Sequence, residues 1–518
     1  MNRFIHMNFF KPHPGRWIFR RELFMAVGLG AGGQAVAGTT VTPIELRDLP
    51  LLFADDSGVA ASSGIVRTLH PARTRPAPVL EADRPWEGSR VYVYGSVLRD
   101  PATGEFRLWY LGRTGRSDKP DRTPTLRSNG YDLTLYATSR DGVVWTKPAL
   151  GLHAFEGSTA NNIIFDLHSP SVLFDPFERD PARRYKMIGC FRGNYHAATS
   201  PDGLHWTATP GDRGVITSSD TITLTQHPVT GEYLAYHKRP DPQGRTVWLA
   251  RSRDFLNWTA PERVFAADEF DNTWTSAPGQ RTDIYNMSVF PHAAGFIGLP
   301  AVFRIMRIRT KSEIGPEQSP HDGPLDIQLA TSPDGRTWRR STPRLAIIPR
   351  GAPGTFDGGA MLGVTSTAVS TDRETWVYYT AINTGHGAPL PPKRLTIGRA
   401  EWRRHGFVSL DAGPDGGRIE TRLLAVRSGV LIVNADARRG VLRMALLGDD
   451  DRPLPGYGLG DFEPAKTDAT RAVARWRGKE RVPTDRPFRV AIEMTNCRLY
   501  SLGANGPADA DPYASVSK

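Results

Sequence analysis

Residues 198–210, ATSPDGLHWTATP, decide the fold, because close copies of this stretch recur along the chain. The copies are ATSRDGVVWTKP from Ala137, ARSRDFLNWTAP from Ala250 and ATSPDGRTWRRSTP from Ala330. Their shared pattern is Ser-x-Asp-Gly-x-x-Trp, with Phe255 replacing the glycine in one copy. Asp-Gly suits a tight turn, serine hydrogen-bonds the turn backbone, and tryptophan packs on the preceding strand. Each copy therefore predicts a β-hairpin.

Short apolar and aromatic segments precede the copies, as buried strands require. They are FRLWYLGR from Phe106, YKMIGCFR from Tyr185, YLAYHKR from Tyr233 and FIGLPAVFR from Phe296. Another strand and a turn stand before each segment, so the unit has four strands, A to D. A fifth unit follows without the full turn signature. Five such units at intervals of roughly 50 to 80 residues predict the blades of a five-bladed β-propeller.

The predicted fold class is all-β, with the propeller over residues 45–413 and a C-terminal β-sandwich over residues 418–503. The second region keeps strand alternation without the turn signature. Residues 504–518 predict a disordered tail. Residues 1–37 predict an export signal of the twin-arginine type, because Arg20 and Arg21 precede a short Gly-rich apolar segment that ends in small residues.

Charge and cysteine content exclude several function classes. The chain has 65 Lys and Arg residues against 54 Asp and Glu residues, and four of its eleven net positive charges lie in residues 1–37. No Lys/Arg run remains that would follow a nucleic-acid backbone. Cys190 and Cys497 lie in different predicted domains, so neither a disulfide framework nor a cysteine metal site is expected. We expect a periplasmic or secreted protein without stable membrane insertion once the signal is removed.

The blade sequences resemble the five-bladed β-propeller glycoside hydrolases, the group that contains glycoside hydrolase families 32, 43, 68 and 130. Over about residues 46–412, four stretches are similar to a family-32-like branch. They are LRDLPLLFADDSGV from Leu46, SVLRDPATGEFRLWY from Ser96, NNIIFDLHSPSVLFDP from Asn161 and TDIYNMSVFP from Thr282. The family-32 motifs W-M-N-D-P-N-G, R-D-P and E-C are absent in intact form. The resemblance implies cleavage of glycosidic bonds in an oligo- or polysaccharide.

Carboxylates at the starts of the A strands are the catalytic candidates, because these starts converge at one mouth of a propeller channel. They are Glu87, Asp220, Asp283 and Asp357. Glycoside hydrolysis needs one protonated and one ionised carboxyl group. By analogy with the resembling families we expect Glu87 to be the base or nucleophile, Asp220 or Asp283 the acid, and Asp357 an orienting group. The structural alternative for each is a carboxylate that caps a loop.

Further residues are expected at the same mouth, including arginines at equivalent ends of the B strands. These arginines either clamp a carboxylate, sulfate or phosphate group of a ligand or pair with the axial carboxylates. The candidate substrate-binding residues are Trp86, Arg113, Asp166, His168, Arg192, Arg239, Tyr285, Arg304 and His386. Two histidines without a spaced carboxylate do not predict a metal site. No cofactor is expected, although the resemblance admits a Ca²⁺ ion in the axial channel.

Three functions remain open from the sequence alone. The first is an exported glycoside hydrolase with a carbohydrate substrate. The others are a phosphate-dependent glycoside phosphorylase and a non-catalytic carbohydrate-binding propeller. Oligomeric state, sugar identity and stereochemical outcome are not predicted.

Overall fold

A computed structural model describes residues 42–504, except residues 48, 101, 115–122, 128–130, 210–212, 219, 316–317 and 428. The predicted export signal and residues 505–518 of the predicted tail lie outside the described residues. The described residues form strands and short 3-10 turns, and no helix among them is long and apolar enough to cross a membrane. The 3-10 turns are Pro85–Glu87, Pro181–Arg183, Glu269–Asn272 and Lys311–Glu313.

Five short strands precede the first blade, and they pair with two different parts of the fold. They are β1 (Ile44–Leu46), β2 (Leu51–Leu52), β3 (Val59–Ser63), β4 (Ile65–Leu69) and β5 (Arg73–Thr74). The first four pair with C-terminal sheets, and β5 pairs with the last blade.

The first three blades follow one another along the chain as antiparallel sheets. Blade 1 contains β6 (Val91–Arg99), β7 (Phe106–Arg113), β8 (Asp132–Ser139) and β9 (Ile163–Phe165). Blade 2 contains β10 (His168–Phe174), β11 (Tyr185–Phe191), β12 (Asn194–Ser200), β13 (Thr207–Ala208) and β14 (Ile216–Thr217). Blade 3 contains β15 (Ile222–Gln226), β16 (Tyr233–Asp241), β17 (Gly244–Ser252) and β18 (Glu262–Phe265).

The last two blades complete the ring. Blade 4 contains β19 (Arg281–His292), β20 (Gly295–Ile305), β23 (Leu325–Ile327), β24 (Ala330–Ser332) and β25 (Arg339–Arg340), with a side hairpin of β21 (Arg307–Ile308) and β22 (His321–Asp322). Blade 5 contains β26 (Ala360–Val364), β27 (Val369–Ser370), β28 (Glu374–Ile382) and β29 (Leu395–Arg403). Strand β5 pairs with β29 and so closes the ring with residues that precede blade 1.

The innermost strands of neighbouring blades contact one another around the axis, in the order β6, β10, β15, β19, β26 and back to β6. Serine hydroxyls join these strands. Ser96 Oγ accepts a hydrogen bond from Val172 N (2.8 Å), and Ser171 Oγ accepts one from Leu224 N (2.9 Å). These bonds satisfy backbone groups that have no sheet partner on the axial side. The all-β propeller predicted from the repeats is confirmed.

The repeated turn joins blades as well as strands. In blade 2, Gly203 N donates to Ser200 Oγ (2.8 Å), as the pattern predicts. The carbonyl oxygen of Gly203 accepts a hydrogen bond from Trp109 Nε1 of blade 1 (2.8 Å). Tyr236 binds the turn of blade 4 in the same way, and Tyr378 binds the turn of blade 1. Each of these turns therefore receives an aromatic donor from the preceding blade.

The C-terminal strands form two facing sheets around a separate hydrophobic core. They are β30 (Val408–Ala412), β31 (Gly417–Thr421), β33 (Ile432–Asp436), β34 (Val441–Leu447), β35 (Asp468–Val473), β36 (Arg489–Thr495) and β37 (Cys497–Gly503). Strand β32 (Leu424–Val426) instead pairs in parallel with β1. One sheet has the order β35-β33-β37-β30-β4, with β2 also paired to β37. The other has the order β3-β31-β36-β34. This arrangement is a β-sandwich.

The strand pairing differs from the predicted domain boundaries at 45, 413 and 418. Residues before β5 belong to the sandwich, and β30 belongs to it rather than to the propeller. The reason is burial: Leu46, Leu51 and Phe53 are fully buried in the sandwich core. The sandwich is therefore assembled from both ends of the described chain.

Candidate active site

A pocket with a volume of about 840 Å³ lies on the propeller axis, because all five blades contribute to its lining. Tyr94 comes from blade 1, His168 from blade 2, Lys238 from blade 3, Tyr285 from blade 4 and Leu362 from blade 5. The lining carries seven cationic side chains, namely Arg90, Arg113, Arg127, Arg192, Lys238, Arg245 and Lys393. Its carboxylates are Asp132, Asp166 and Asp220. The pocket therefore has a strong excess of positive charge.

Seven residues predicted from the sequence line this pocket together. They are Arg113, Asp166, His168, Arg192, Asp220, Tyr285 and His386. Their convergence follows from the blade geometry, since the starts of A strands and the ends of B strands meet at one mouth of the channel.

Glu87 does not line the pocket, contrary to the prediction. Its carboxylate is fully buried and accepts hydrogen bonds from the Tyr110 hydroxyl (2.7 Å) and from the backbone nitrogens of Asp83 (2.8 Å) and Arg84 (3.0 Å). Lys147 Nζ forms an ion pair with it at 2.7 Å. The Pro85–Glu87 turn directs the side chain back onto its own backbone. Glu87 therefore caps a turn, which is the structural alternative.

Asp283 and Asp357 are also buried outside the pocket lining. Asp283 is held between Arg245 (2.7 Å) and Arg281 (2.8 Å), so it reaches the pocket only through Arg245. Asp357 accepts a hydrogen bond from the Tyr379 hydroxyl at 2.8 Å. The predicted convergence of four axial carboxylates is therefore wrong, and Asp220 is the member of that set that lines the pocket.

Three predicted substrate contacts are engaged elsewhere. Trp86 Nε1 donates to Asn162 Oδ1 (2.6 Å). The Arg239 guanidinium lies 5.0 Å from the ring centre of Trp248. Arg304 forms an ion pair with Asp326, which is the charge-balancing alternative for these arginines.

A chain of charged groups crosses one side of the pocket. His168 lies between two carboxylates, with Nδ1 3.4 Å from Asp132 Oδ1 and Nε2 3.5 Å from Asp220 Oδ1. Arg113 approaches the other side of Asp132 at 3.3 Å, and Lys238 forms an ion pair with Asp220. Positive and negative groups therefore alternate from Arg113 to Lys238.

This alternation fixes the protonation of its members. Burial alone would lower the pKa of His168, but Asp132 and Asp220 outweigh it and raise the pKa to about 9. Burial alone would raise the pKa of Asp220, but Lys238 and His168 hold it well below its usual range. Asp220 is therefore ionised at neutral pH, which favours a role other than the general acid expected from the sequence; its catalytic role stays a prediction. It is suited to act as a base or nucleophile.

His386 and Lys393 lie at the opposite side. His386 Nδ1 is 3.1 Å from the His321 carbonyl oxygen, so Nδ1 carries the proton and donates it. Burial, together with the charges of Lys393, Arg245 and Lys238, lowers the pKa of His386 to about 3. The imidazole is neutral at pH 7.

The lining includes functional side chains that the sequence did not single out, notably Asp132, Lys238, Arg245 and Lys393. Two of them mark the beginnings of C strands, since Asp132 is the first residue of β8 and Arg245 the second of β17. No group of three His, Cys, Asp or Glu side chains suited to a metal ion occurs among the described residues. The axial Ca²⁺ ion stays a prediction.

No protein-family model and no curated protein matches this sequence. Solved structures with similarity to the chain include an endo-1,4-beta-xylanase from Bacteroides thetaiotaomicron (TM-score 0.38, 11% identity, 63% of this chain and 92% of that protein). They also include beta-1,2-mannobiose phosphorylase from Listeria innocua (TM-score 0.39, 13% identity, 66% and 97%). A third is an N-acetylgalactosamine deacetylase from F. plautii in complex with blood group B trisaccharide (TM-score 0.38, 16% identity, 71% and 96%).

Other matched structures are described as glycoside hydrolases. Glycoside hydrolases and phosphorylases are thus among the structures to which this chain is similar, as the sequence resemblance indicates. The TM-scores and identities are low, so the fold assignment rests on the strand pairing of this chain, and no activity is transferred from these proteins.

Proposed function

We propose that this chain is a carbohydrate-active enzyme that cleaves a glycosidic bond in the axial pocket, as an exported glycoside hydrolase. The observation that carries the proposal is the contact between Asp220 and His168, which places an ionised carboxylate beside a protonated imidazole in a pocket lined by tyrosines. Tyrosine rings present an apolar face with a polar edge, which suits a sugar ring.

Asp220 is the base or nucleophile in this proposal. Its side chain is 35% exposed, against 19% for Asp132 and 1% for Asp166, so it is the most accessible pocket carboxylate. In hydrolysis the bond between the anomeric carbon and the leaving oxygen breaks, water bonds to the anomeric carbon, and one proton passes to a carboxylate. The leaving oxygen takes up one proton. His168 carries a proton beside Asp220 and, unlike Lys238, has a pKa near neutrality, about 9, so it is the candidate donor.

A phosphorylase is the second candidate, and the cationic lining favours it. In phosphorolysis an oxygen of inorganic phosphate replaces water as the attacking atom. Arg and Lys side chains bind phosphate through charge-assisted hydrogen bonds. Supplying or withholding phosphate separates the two reactions.

The test is an assay of the full chain against neutral and acidic plant, algal and mycobacterial glycans, with and without phosphate. We expect Asp220→Asn to lower kcat/KM by about 100-fold or more, as loss of a catalytic base does. Asp415→Asn, at an exposed position outside the pocket, is the matched control and should keep activity within about twofold. Unchanged activity in both Asp220→Asn and His168→Gln contradicts the proposal. Glycan binding without turnover identifies the carbohydrate-binding alternative instead.

A further inference from the structure

The two sides of the pocket differ in how far their charges are neutralised. On the side of His168, each carboxylate lies beside cations. Asp166, for example, accepts hydrogen bonds from two guanidinium nitrogens of Arg127 (2.8 and 3.2 Å). We call the other side the Lys393 end and define it by Lys393, Arg245, His386 and Gln318, which all line the pocket.

The Lys393 ammonium has no carboxylate within ion-pair distance among the described residues, and its hydrogen bond goes to the backbone carbonyl of His386. Burial and the nearby charge of Arg90 lower the pKa of Lys393 to about 8, although Asp322 acts in the opposite direction. The Lys393 ammonium is therefore a pocket cation whose charge no ion-paired carboxylate neutralises among the described residues.

Arg245 supplies more positive charge than its partner removes. It shares the single carboxylate of Asp283 with Arg281, so two guanidinium groups lie on one anion. The imidazole of His321 lies within 3.2 Å of Arg245 and 3.4 Å of Arg281. Burial and these two guanidinium groups lower the pKa of His321, which favours the neutral imidazole beside them.

His386 lies among the same cations. Burial and then Lys393, Arg245 and Lys238 lower the pKa of its imidazole, so three pocket cations act on it with the same sign. The groups are contiguous, because Lys393 binds the carbonyl of His386 and His386 binds the carbonyl of His321. The Lys393 end is therefore one continuous region with surplus positive charge.

We infer that the Lys393 end is the subsite for an oxyanion, held by the Lys393 ammonium and the Arg245 guanidinium. The inference rests on the proposed function, because that proposal supplies the sugar that binds in the same pocket. The oxyanion is then either the carboxylate of a uronic acid unit, which makes the substrate an acidic glycan, or free inorganic phosphate. In both cases charge-assisted hydrogen bonds from Arg and Lys replace the missing counterion.

The test is calorimetric binding to the full chain at constant ionic strength and pH 7, with sodium glucuronate, sodium phosphate and, as the neutral control, glucose. We expect one of the two anions to bind at least tenfold more tightly than glucose. Tighter binding of glucuronate identifies a sugar-borne carboxylate, and tighter binding of phosphate identifies the free anion. Equal binding of all three ligands overturns the inference.

Two variants localise the effect. Lys393→Met is expected to raise the Kd of the preferred anion at least tenfold, and Lys393→Arg, which keeps the charge, to raise it less than threefold. Lys466→Met removes an exposed lysine of the sandwich and should leave the Kd unchanged. If Lys393→Met binds the anion as the unmodified chain does, the subsite lies elsewhere.

The outcomes for the two proposals are separable. Anion binding that depends on Lys393 without cleavage of any glycan supports the subsite and contradicts the proposed function. Cleavage of neutral glycans with no anion effect supports the proposed function and overturns the subsite.

Discussion

His168 Nε2 lies 3.5 Å from Oδ1 of Asp220, and this contact couples the protonation of the imidazole to the charge of the pocket. Because the carboxylates raise the pKa of His168 to about 9, the folded state holds a proton that the unfolded state releases near pH 6.5. The contact therefore links folding stability, pocket charge and the proposed chemistry.

The first prediction concerns pH and stability. Because the pKa of His168 is raised in the folded state, the protonated imidazole stabilises the fold. This stabilisation is fully present below pH 6.5 and is lost as the pH rises through about 9. The shift corresponds to about 3 kcal/mol of stabilisation. We expect the difference in unfolding free energy between the unmodified chain and His168→Gln to shrink from pH 6 to pH 9.5 in urea titrations. A difference that is constant over this range contradicts the raised pKa.

The second prediction separates a structural carboxylate from a catalytic one. Glu87→Gln should lower the unfolding free energy by about 1–3 kcal/mol, because it disturbs the buried bonds with Tyr110 and Lys147. At temperatures below its unfolding transition, Glu87→Gln should keep kcat/KM within a few-fold of the unmodified chain on a glycan that this chain cleaves. Asp220→Asn should not. Loss of activity at unchanged stability would restore Glu87 as a catalytic candidate.

The third prediction concerns the turn between blades. Gly203 has φ +81°, and a Cβ atom there would lie 2.7 Å from Trp109 Cζ2. Gly151 is the matched control, since it has φ +73° and a Cβ atom there would meet no other atom within 4 Å. Gly151→Ala should cost only the left-handed backbone strain, about 1–2 kcal/mol, and Gly203→Ala about 1–3 kcal/mol more because of the clash. Equal losses in denaturation midpoints would show that the Trp109 contact is dispensable.

The fourth prediction concerns the sandwich. The isolated fragment 418–504 should not fold, because it lacks β2, β3 and β4 and the buried side chains of Leu46, Leu51 and Phe53. Circular dichroism and dispersed amide NMR signals provide the measurement. The matched control is the full chain with Phe53→Ala, which should remain folded but lose about 3–5 kcal/mol. A cooperatively folded fragment contradicts the shared architecture.

The propeller was predictable because its repeat is local. Ser200 and Gly203 form the turn through bonds within four residues, so the sequence pattern is sufficient. The closing strand β5 was not predictable, since two residues carry no periodicity. Leu51 and Phe53 gave no signal of the sandwich either, because their partners lie more than 350 residues away in the sequence.

The site was predictable where strand ends alone determine position. The starts of A strands identified His168 and Asp220, and the ends of B strands identified Arg113. The starts of C strands meet at the same mouth, and including them would have found Asp132 and Arg245.

Glu87 shows the opposite case. A carboxylate beside a strand start reaches either the axis or its own turn, and the sequence does not distinguish these orientations. Only the bonds with the backbone of Asp83 and Arg84 decide between them.

The pairing of Leu51 with Leu502 has a consequence for biosynthesis. The ribosome must synthesise all five blades and the C-terminal strands before this sheet can form. The segment around Leu51 therefore stays unpaired while the blades are made. Long-range pairings of this kind slow folding. We therefore expect the apolar side chains of Leu46 and Phe53 to lack their native partners until the C-terminal strands have been made, which exposes the growing chain to aggregation during synthesis.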